Sequence, residues 1–201
     1  PVGGDALDPE FTEAGAAVTF VSRPVGLDEL AAWEKKTKLR MMSFPVCEDD
    51  IAIIVHKENP IKQLTLAQLK VAFGESKERP TWGALGLTDA LAGKPILVHG
   101  RDQYSGTRNH LRKVILGEAP DTVGKAHGSY TSLVNAVAAD PNAIGYCRDA
   151  FVREGVRAVP IVAGDRAQPY LARTCSLVVA TPHGKAVPPL VKEFLGCLYR
   201  A

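Results

Sequence analysis

Apolar residues occur along this chain in two arrangements, short continuous runs and stripes in which every third or fourth position is apolar. The continuous runs predict buried β-strands, and they lie at 16–21, 51–56, 94–100 and 175–180. The striped segments predict amphipathic helices between the strands. This alternation of strands and helices indicates an α/β fold, with no flexible linker between separate domains.

The clearest helix boundary lies in the segment LTLAQLKVAFG. Thr65 is followed three residues later by Gln68, which predicts a capping box at the helix start. Leu64 and Leu69 have the spacing of a hydrophobic staple across the same boundary. Gly74 is predicted to end the helix in a left-handed turn.

Three later helices follow the same logic. One carries an apolar face of Leu111, Val114 and Ile115, and another spans roughly 129–140 before Pro141. The last helix opens with two prolines, which suit a first turn. It is predicted to bury all of its large apolar residues: Leu190, Val191, Phe194, Leu195 and Leu198.

Composition narrows the possible classes of protein. The 201 residues are 46% hydrophobic and 23% charged, with a net charge of +2, which is typical of an ordinary globular protein. So small a charge argues against nucleic-acid binding, which favours a concentrated basic face. The apolar runs are too short to span a bilayer. The first residues, PVGGDALDPEF, lack a signal-peptide pattern and an initial Met, so we expect a mature or trimmed form.

The four cysteines are widely separated and contain no C-x-x-C pair, which argues against a zinc site or a redox motif. We predict free thiols, buried where the surrounding run is apolar. The alternative is a disulfide, Cys175–Cys197 or Cys47–Cys175, formed in an oxidising compartment.

Residues 100–117, GRDQYSGTRNHLRKVILG, carry the strongest candidate chemistry. A predicted strand ends at Arg101, and a helix begins around Ser105, Gly106 and Thr107. A helix start offers unpaired N–H groups and a partial positive charge, so it can hold an oxyanion. Arg101 could add a two-pronged guanidinium contact. The alternative is that Ser105 merely caps the helix and that Arg108, Arg112 and Lys113 cover a solvated face.

The same residues do not match known catalytic motifs. The spacing from Gly100 to Gly106 is too long for a P-loop, and no lysine follows. A nucleophile elbow would need a glycine two residues before Ser105. His110 has a poor offset for assisting that serine. We therefore expect that the protein is not an enzyme and that it binds no metal and no cofactor.

Several segments in the same order resemble the phosphate-binding solute receptors of ABC transporters, the PstS-like periplasmic binding proteins. One of these segments is GRDQYSGTR, which is similar to the family's R-x-x-x-S-G-T segment. The resemblance as a whole extends from about residue 14 to the C-terminus. The other similar segments are SRPVGLDEL, DDIAIIVHKENPIKQLTLAQLKVAFGE, VAADPNAIGYC and QPYLARTCSLVV.

The resemblance implies a type II, two-lobed α/β fold with the ligand in a cleft between lobes. The lobes would be 1–55 plus 174–201, and 56–173. It implies that Arg101, Ser105, Gly106 and Thr107 bind phosphate or a similar tetrahedral oxyanion. It also implies a monomer in the periplasm or another extracytoplasmic location, working with an ABC transporter permease.

Two departures from the family pattern leave other functions open. Nothing before residue 20 matches the family's Gly-Ser-Thr-Thr turn, and Arg23 stands where some relatives carry an acidic residue. Ser22 is the candidate ligand from the first lobe, with a turn residue before Pro24 as the alternative. A ligand-sensing or interaction domain that has lost transport is the alternative function. A phosphoester hydrolase is a third option, without a metal cluster or nucleophile to support it.

Overall fold

The computed structural model describes residues 18–21, 25–117, 119–163, 166–168 and 171–199, with side chains for all of these except 163 and 166–168. The chain divides into two compact units, Pro1–Glu48 with Arg173–Ala201, and Asp49–Ala172. The lobes predicted from the resemblance, with boundaries at 55/56 and 173/174, stay a prediction.

Among the described residues, strands and α-helices largely alternate as far as Ala138, and five strands then follow with no α-helix between them before the last helix. The strands are β1 (Val18–Val21), β2 (Leu39–His56), β3 (Leu64–Thr65), β4 (Leu97–Arg101), β5 (Lys125–His127), β6 (Ala143–Arg148), β7 (Val156–Val159), β8 (Ile161–Ala163), β9 (Arg166–Gln168) and β10 (Leu171–Pro182). The helices are α1 (Leu27–Thr37), α2 (Leu66–Phe73), α3 (Gly106–Leu116), α4 (Tyr130–Ala138) and α5 (Pro189–Leu198). In the described part of the chain, no helix is both long and apolar enough to cross a bilayer.

The first unit is a small sheet with a helix against each face. β10 pairs with β1 in antiparallel register, with Val18 opposite Val179, and its other neighbour is β2. Successive strand residues face opposite sides. Val178 accordingly packs in a cluster with residues of α1, whereas Leu177 and Val179 pack in a cluster that includes Val191 of α5.

The prediction that α5 buries its five large apolar residues is wrong. Val191 is buried and Leu195 is partly buried against the sheet. In contrast, Leu190, Phe194 and Leu198 are exposed, with Leu190 at 77%. Neighbouring helical positions lie 100° apart, so the stripe of Leu190, Phe194 and Leu198 points away from the stripe that meets the sheet.

The second unit is built on a mixed sheet in the order β2–β6–β4–β5, with β7 also paired to β2. β4 runs parallel to both β5 and β6, so these three strands end at the same edge. Residues 51–55 of β2 are fully buried. Ile51, Ile53 and Val55 belong to the cluster that contains α2 and α3, while Ala52 and Ile54 pack with α4. A second small sheet, β3–β8–β9, completes the unit.

The start of α2 confirms the predicted capping box. The Thr65 side chain accepts a hydrogen bond from the Gln68 N–H, and the Gln68 side chain accepts one from the Thr65 N–H at 2.7 Å. The predicted left-handed end is wrong, because Gly74 has φ −75°. Glycine is required there for space instead, since a Cβ would lie 2.6 Å from the Lys70 carbonyl oxygen.

None of the four cysteines, which all lie in the described part of the chain, forms a disulfide, as predicted. Cys147 and Cys175 are buried, whereas Cys47 and Cys197 are exposed. Cys197 is exposed although its helix is apolar, because it lies on α5, which buries few of its residues.

Candidate anion-binding site

The sequence GRDQYSGT forms a sharp connection between β4 and α3. The Ser105 N–H donates to the Asp102 carbonyl oxygen at 3.2 Å, and the Asp102 carboxylate accepts from the Tyr104 N–H at 3.0 Å. Ser105 is the N-cap of α3, and its Oγ accepts a hydrogen bond from the Arg108 N–H at 3.4 Å. The connection therefore fixes where the helix begins.

The capping role that the sequence left open for Ser105 is thus present. In this role the Ser105 hydroxyl accepts a hydrogen bond from one helix amide, the N–H of Arg108. The N–H groups of Gly106 and Thr107 belong to the first turn and have no acceptor within the helix. Gly106 has open space where a Cβ would lie, so a ligand can approach the backbone closely. Capping and anion binding are therefore compatible at this helix start.

Arg101, the last residue of β4, is held beside this helix start by the segment that leads into α4. Its Nε donates to the His127 carbonyl oxygen at 3.1 Å, and its Nη2 donates to the Gly128 carbonyl oxygen at 3.0 Å. Its guanidinium carbon also lies 4.7 Å from the centre of the Tyr130 ring. The carboxylate of Asp102 is 3.9 Å from Nη2. A guanidinium has five donor hydrogens, so Arg101 retains donors beyond those used by the two carbonyls.

Tyr130 connects the two helix starts, a role that the helix predicted over roughly 129–140 did not indicate. Its hydroxyl makes a hydrogen bond with Thr107 Oγ1. Tyr130 is the first residue of α4, whose N-cap is Ser129. The signal available in the sequence is the repeated order of strand, Ser cap and helix after both β4 and β5, since parallel strands end at one edge.

Arg108 does not cover a solvated face, so that alternative is wrong for this residue. Its guanidinium forms two hydrogen bonds with the Asp121 carboxylate, at 2.8 and 3.0 Å. It also donates to the Arg101 carbonyl oxygen at 3.3 Å. The hydrogen bonds with Asp121 raise the pKa of Arg108. Arg108 is therefore committed to fixing α3, whereas the Asp102 carboxylate beside Arg101 is more distant, at 3.9 Å.

Comparison with known proteins assigns this chain to a family. The model of the PBP superfamily domain matches residues 4–195. The chain belongs to the PBP superfamily. This PBP-superfamily chain is 35% identical to the phosphate-binding protein PstS of Pseudomonas aeruginosa, over 79% of its own length and 51% of the relative. It is 27% identical to the protein SphX of Synechococcus elongatus, over 94% of its own length and 52% of the relative. It thus spans about half the length of these curated relatives.

Solved structures agree with the family assignment. An ABC-type phosphate transport receptor from Vibrio cholerae shares the fold at a TM-score of 0.72, with 20% identity over 98% of this chain and 80% of that one. A structure from Clostridium perfringens with bound phosphate, assigned as a phosphate ABC transporter substrate-binding protein, gives a TM-score of 0.70. It has 27% identity over 96% of this chain and 77% of that one. The predicted PstS-like resemblance and the α/β class of two-lobed binding proteins are confirmed.

The site residues predicted from the PBP-superfamily resemblance fall into two groups. Arg101, Ser105, Gly106 and Thr107 are neighbours at the end of β4 and the start of α3. Ser22 lies outside the described residues, as does the segment 1–17 where the family's Gly-Ser-Thr-Thr turn was sought. Their assignment as ligand-binding residues stays a prediction.

Two histidines, His99 on β4 and His127 on β5, contact each other close in the chain to the residues that hold Arg101. His99 Nδ1 and His127 Nε2 are 2.9 Å apart, and the two rings stack with centres 5.2 Å apart. Burial lowers the pKa of both, and for His99 the charges of His127 and Lys125 lower it further while Asp140 opposes them. Because the carbonyl oxygen of His127 accepts from Arg101, this pair supports the segment that holds the guanidinium.

A cavity of about 300 Å³ also lies in this unit, away from the helix starts. Its lining includes Ile96, Val98, His99, Lys125 and Asp140, and none of the predicted ligand-binding residues. The candidate site at the end of β4 and the start of α3 is therefore separate from this cavity, whose lining also includes Arg79.

Proposed function

We propose that this protein binds inorganic phosphate, or a similar tetrahedral oxyanion, as a non-enzymatic receptor for ABC-type import or for sensing. Arg101 pairs with the anion. The amides of Gly106 and Thr107 and the hydroxyls of Ser105 and Thr107 surround its oxygens. Ser22, from the first lobe, is the further predicted contributor.

One observation carries the proposal, namely that the Arg101 guanidinium is fixed beside the start of α3. Two backbone carbonyls and the Tyr130 ring hold the guanidinium. Ser105 and Thr107 are both buried, at 3% and 4% exposure, so their hydroxyls belong to an ordered site and not to a flexible surface. A positive charge and the amides of a helix start lie close together here, and both favour the binding of an oxyanion such as phosphate.

The relatives support the identity of the ligand. A relative with 35% identity is named as a phosphate-binding protein, and one similar structure carries bound phosphate. By the same resemblance, the protein is expected to be a monomer outside the cytoplasm, with a transporter permease as partner.

Isothermal titration with phosphate, with sulfate as competitor, tests the proposal. The wild-type chain should bind phosphate, and Arg101→Ala should abolish measurable binding, a loss of at least about 30-fold, because truncating one partner of a charge pair costs about 2 kcal/mol or more. Arg112→Ala is the matched control, since it removes an arginine of α3 that lies outside the proposed site. An unchanged phosphate affinity in Arg101→Ala would disprove the proposed site. A wild-type chain that does not bind phosphate would disprove the proposed function.

A further inference from the structure

We propose that Tyr130 is a positioning residue that holds the Arg101 guanidinium and the Thr107 hydroxyl in one fixed relation to the anion. This inference rests on the proposed function. It assigns a role to a residue outside the R-x-x-x-S-G-T segment, on a different helix from the predicted ligands.

Two different parts of the tyrosine make the two contacts. The ring lies under the Arg101 guanidinium, with 4.7 Å between the guanidinium carbon and the ring centre. The hydroxyl is hydrogen-bonded to Thr107 Oγ1. The ring also contacts Phe151, with 5.0 Å between the two ring centres, and both side chains pack against the apolar cluster around α4. Tyr130 therefore transmits the position of α4 to both groups.

The backbone before Tyr130 acts on the same guanidinium. The carbonyls of His127 and Gly128 accept from Nε and Nη2, so three contacts from four consecutive residues fix the plane of Arg101. An arginine fixed in this way loses less conformational entropy when it binds an anion than a mobile side chain would lose. The expected consequence is tighter binding without any direct contact between Tyr130 and the ligand.

The hydrogen bond also defines a direction for the Thr107 hydroxyl. A phenol is a stronger acid than an aliphatic alcohol, so Tyr130 is the better donor and Thr107 Oγ1 the acceptor. Through this bond Tyr130 fixes the position of Thr107 Oγ1 at the start of α3.

A double-mutant cycle tests the link between the two residues. Phosphate affinity is measured for Tyr130→Phe, Thr107→Val and the combined variant. Tyr130→Phe should weaken binding by about 2- to 10-fold, the range of one ordinary hydrogen bond. The combined variant should bind as Thr107→Val does, because Tyr130 acts through that hydroxyl. Additive losses would overturn the proposal.

Further variants separate the ring from the hydroxyl and from general stability. Tyr130→Leu should weaken binding beyond Tyr130→Phe by about 2- to 5-fold, since it also removes the cation–π contact. Tyr104→Phe is the control, because Tyr104 lies in the connection between β4 and α3 but its side chain is 68% exposed. Urea unfolding of each variant provides the readout for a merely structural role. Affinity losses that only follow lost stability would overturn the proposal.

The two proposals fail in different ways. If the wild-type chain does not bind phosphate, the proposed function fails, and the position of Arg101 is still measurable by NMR of its Nε–H group. The Nε–H resonance should shift in Tyr130→Leu and stay in place in Tyr104→Phe. An unshifted resonance in Tyr130→Leu would overturn the positioning role by itself.

Discussion

Arg108 and Asp121 are joined by two parallel hydrogen bonds, from Nε to Oδ2 at 2.8 Å and from Nη2 to Oδ1 at 3.0 Å. The side chains are 19% and 16% exposed, so this pair is only partly accessible to water. Arg108 lies in the first turn of α3, and Asp121 forms an isolated bridge with Gly74 after α2. The pair therefore links α3 to the segment beside α2.

Replacing Asp121 with Asn should lower the free energy of unfolding by about 2 kcal/mol, because it leaves the Arg108 charge without its carboxylate. Urea denaturation monitored by fluorescence measures this change. Glu154→Gln is the control, since Glu154 is exposed. Equal stability of the two variants would show that the Arg108–Asp121 pair contributes nothing net to folding.

The paired histidines should make the protein less stable in mild acid. Burial is the main cause that lowers the pKa of both His99 and His127 below the ordinary value of 6.5. Below that value the unfolded chain binds more protons than the folded one, so the free energy of unfolding falls as the pH decreases. The stability is fully present above about pH 6.5 and is lost as the pH falls towards the lowered pKa values. Urea denaturation at pH 7.5, 6.5 and 5.5 measures the trend.

A variant that keeps hydrogen-bonding groups but cannot titrate identifies the cause. Asn at 99 places an amide near Nδ1, and Gln at 127 places one near Nε2, so His99→Asn combined with His127→Gln should show a smaller loss at pH 5.5. His183→Gln is the control, because His183 is exposed. If the double variant and the control lose stability equally between pH 7.5 and 5.5, the histidine pair is not the source.

Two of the four thiols should react with maleimide in the folded protein, and the other two should be protected by burial. Cys47 and Cys197 are exposed, whereas burial raises the pKa of the Cys147 thiol to about 12. Thiolates are the species that react with maleimides, and protected thiols form few of them at neutral pH. Brief maleimide treatment of the folded protein should give two adducts by mass spectrometry, and treatment in urea should give four.

Cys47→Ser combined with Cys197→Ser serves as the control for this labelling. The folded double variant should take up no adduct, while the unfolded one should take up two. Rapid labelling of Cys147 in the folded chain would contradict the burial of this part of β6.

Local sequence signals predicted those parts of the fold that depend on near neighbours. Thr65 and Gln68 are three residues apart, and the helix start that they form follows from their side chains alone. Ser105 caps α3 for the same reason. The strand predicted over 51–56 was evident because a fully buried strand requires a continuous apolar run, although it is only the last third of β2, which begins at Leu39.

Other predictions needed partners that are distant in the sequence. Arg108 looked like a solvated arginine until its partner, 13 residues away, was placed beside it. The exposed stripe of α5 could not be separated from its buried stripe, because all five residues are apolar and only the packed sheet distinguishes them. Gly74 was correctly predicted at a helix end, but its role depends on how close the Lys70 carbonyl lies.

The candidate site shows the same division. The amino-acid sequence by itself determined the strand that ends at Arg101 and the helix that begins after Ser105, because backbone propensity and capping act over a few residues. Only the tertiary structure decided that Tyr130, 29 positions after Arg101 in the chain, lies against both the guanidinium and Thr107. That contact exists because β4 and β5 are parallel neighbours, so the helices that follow them start side by side.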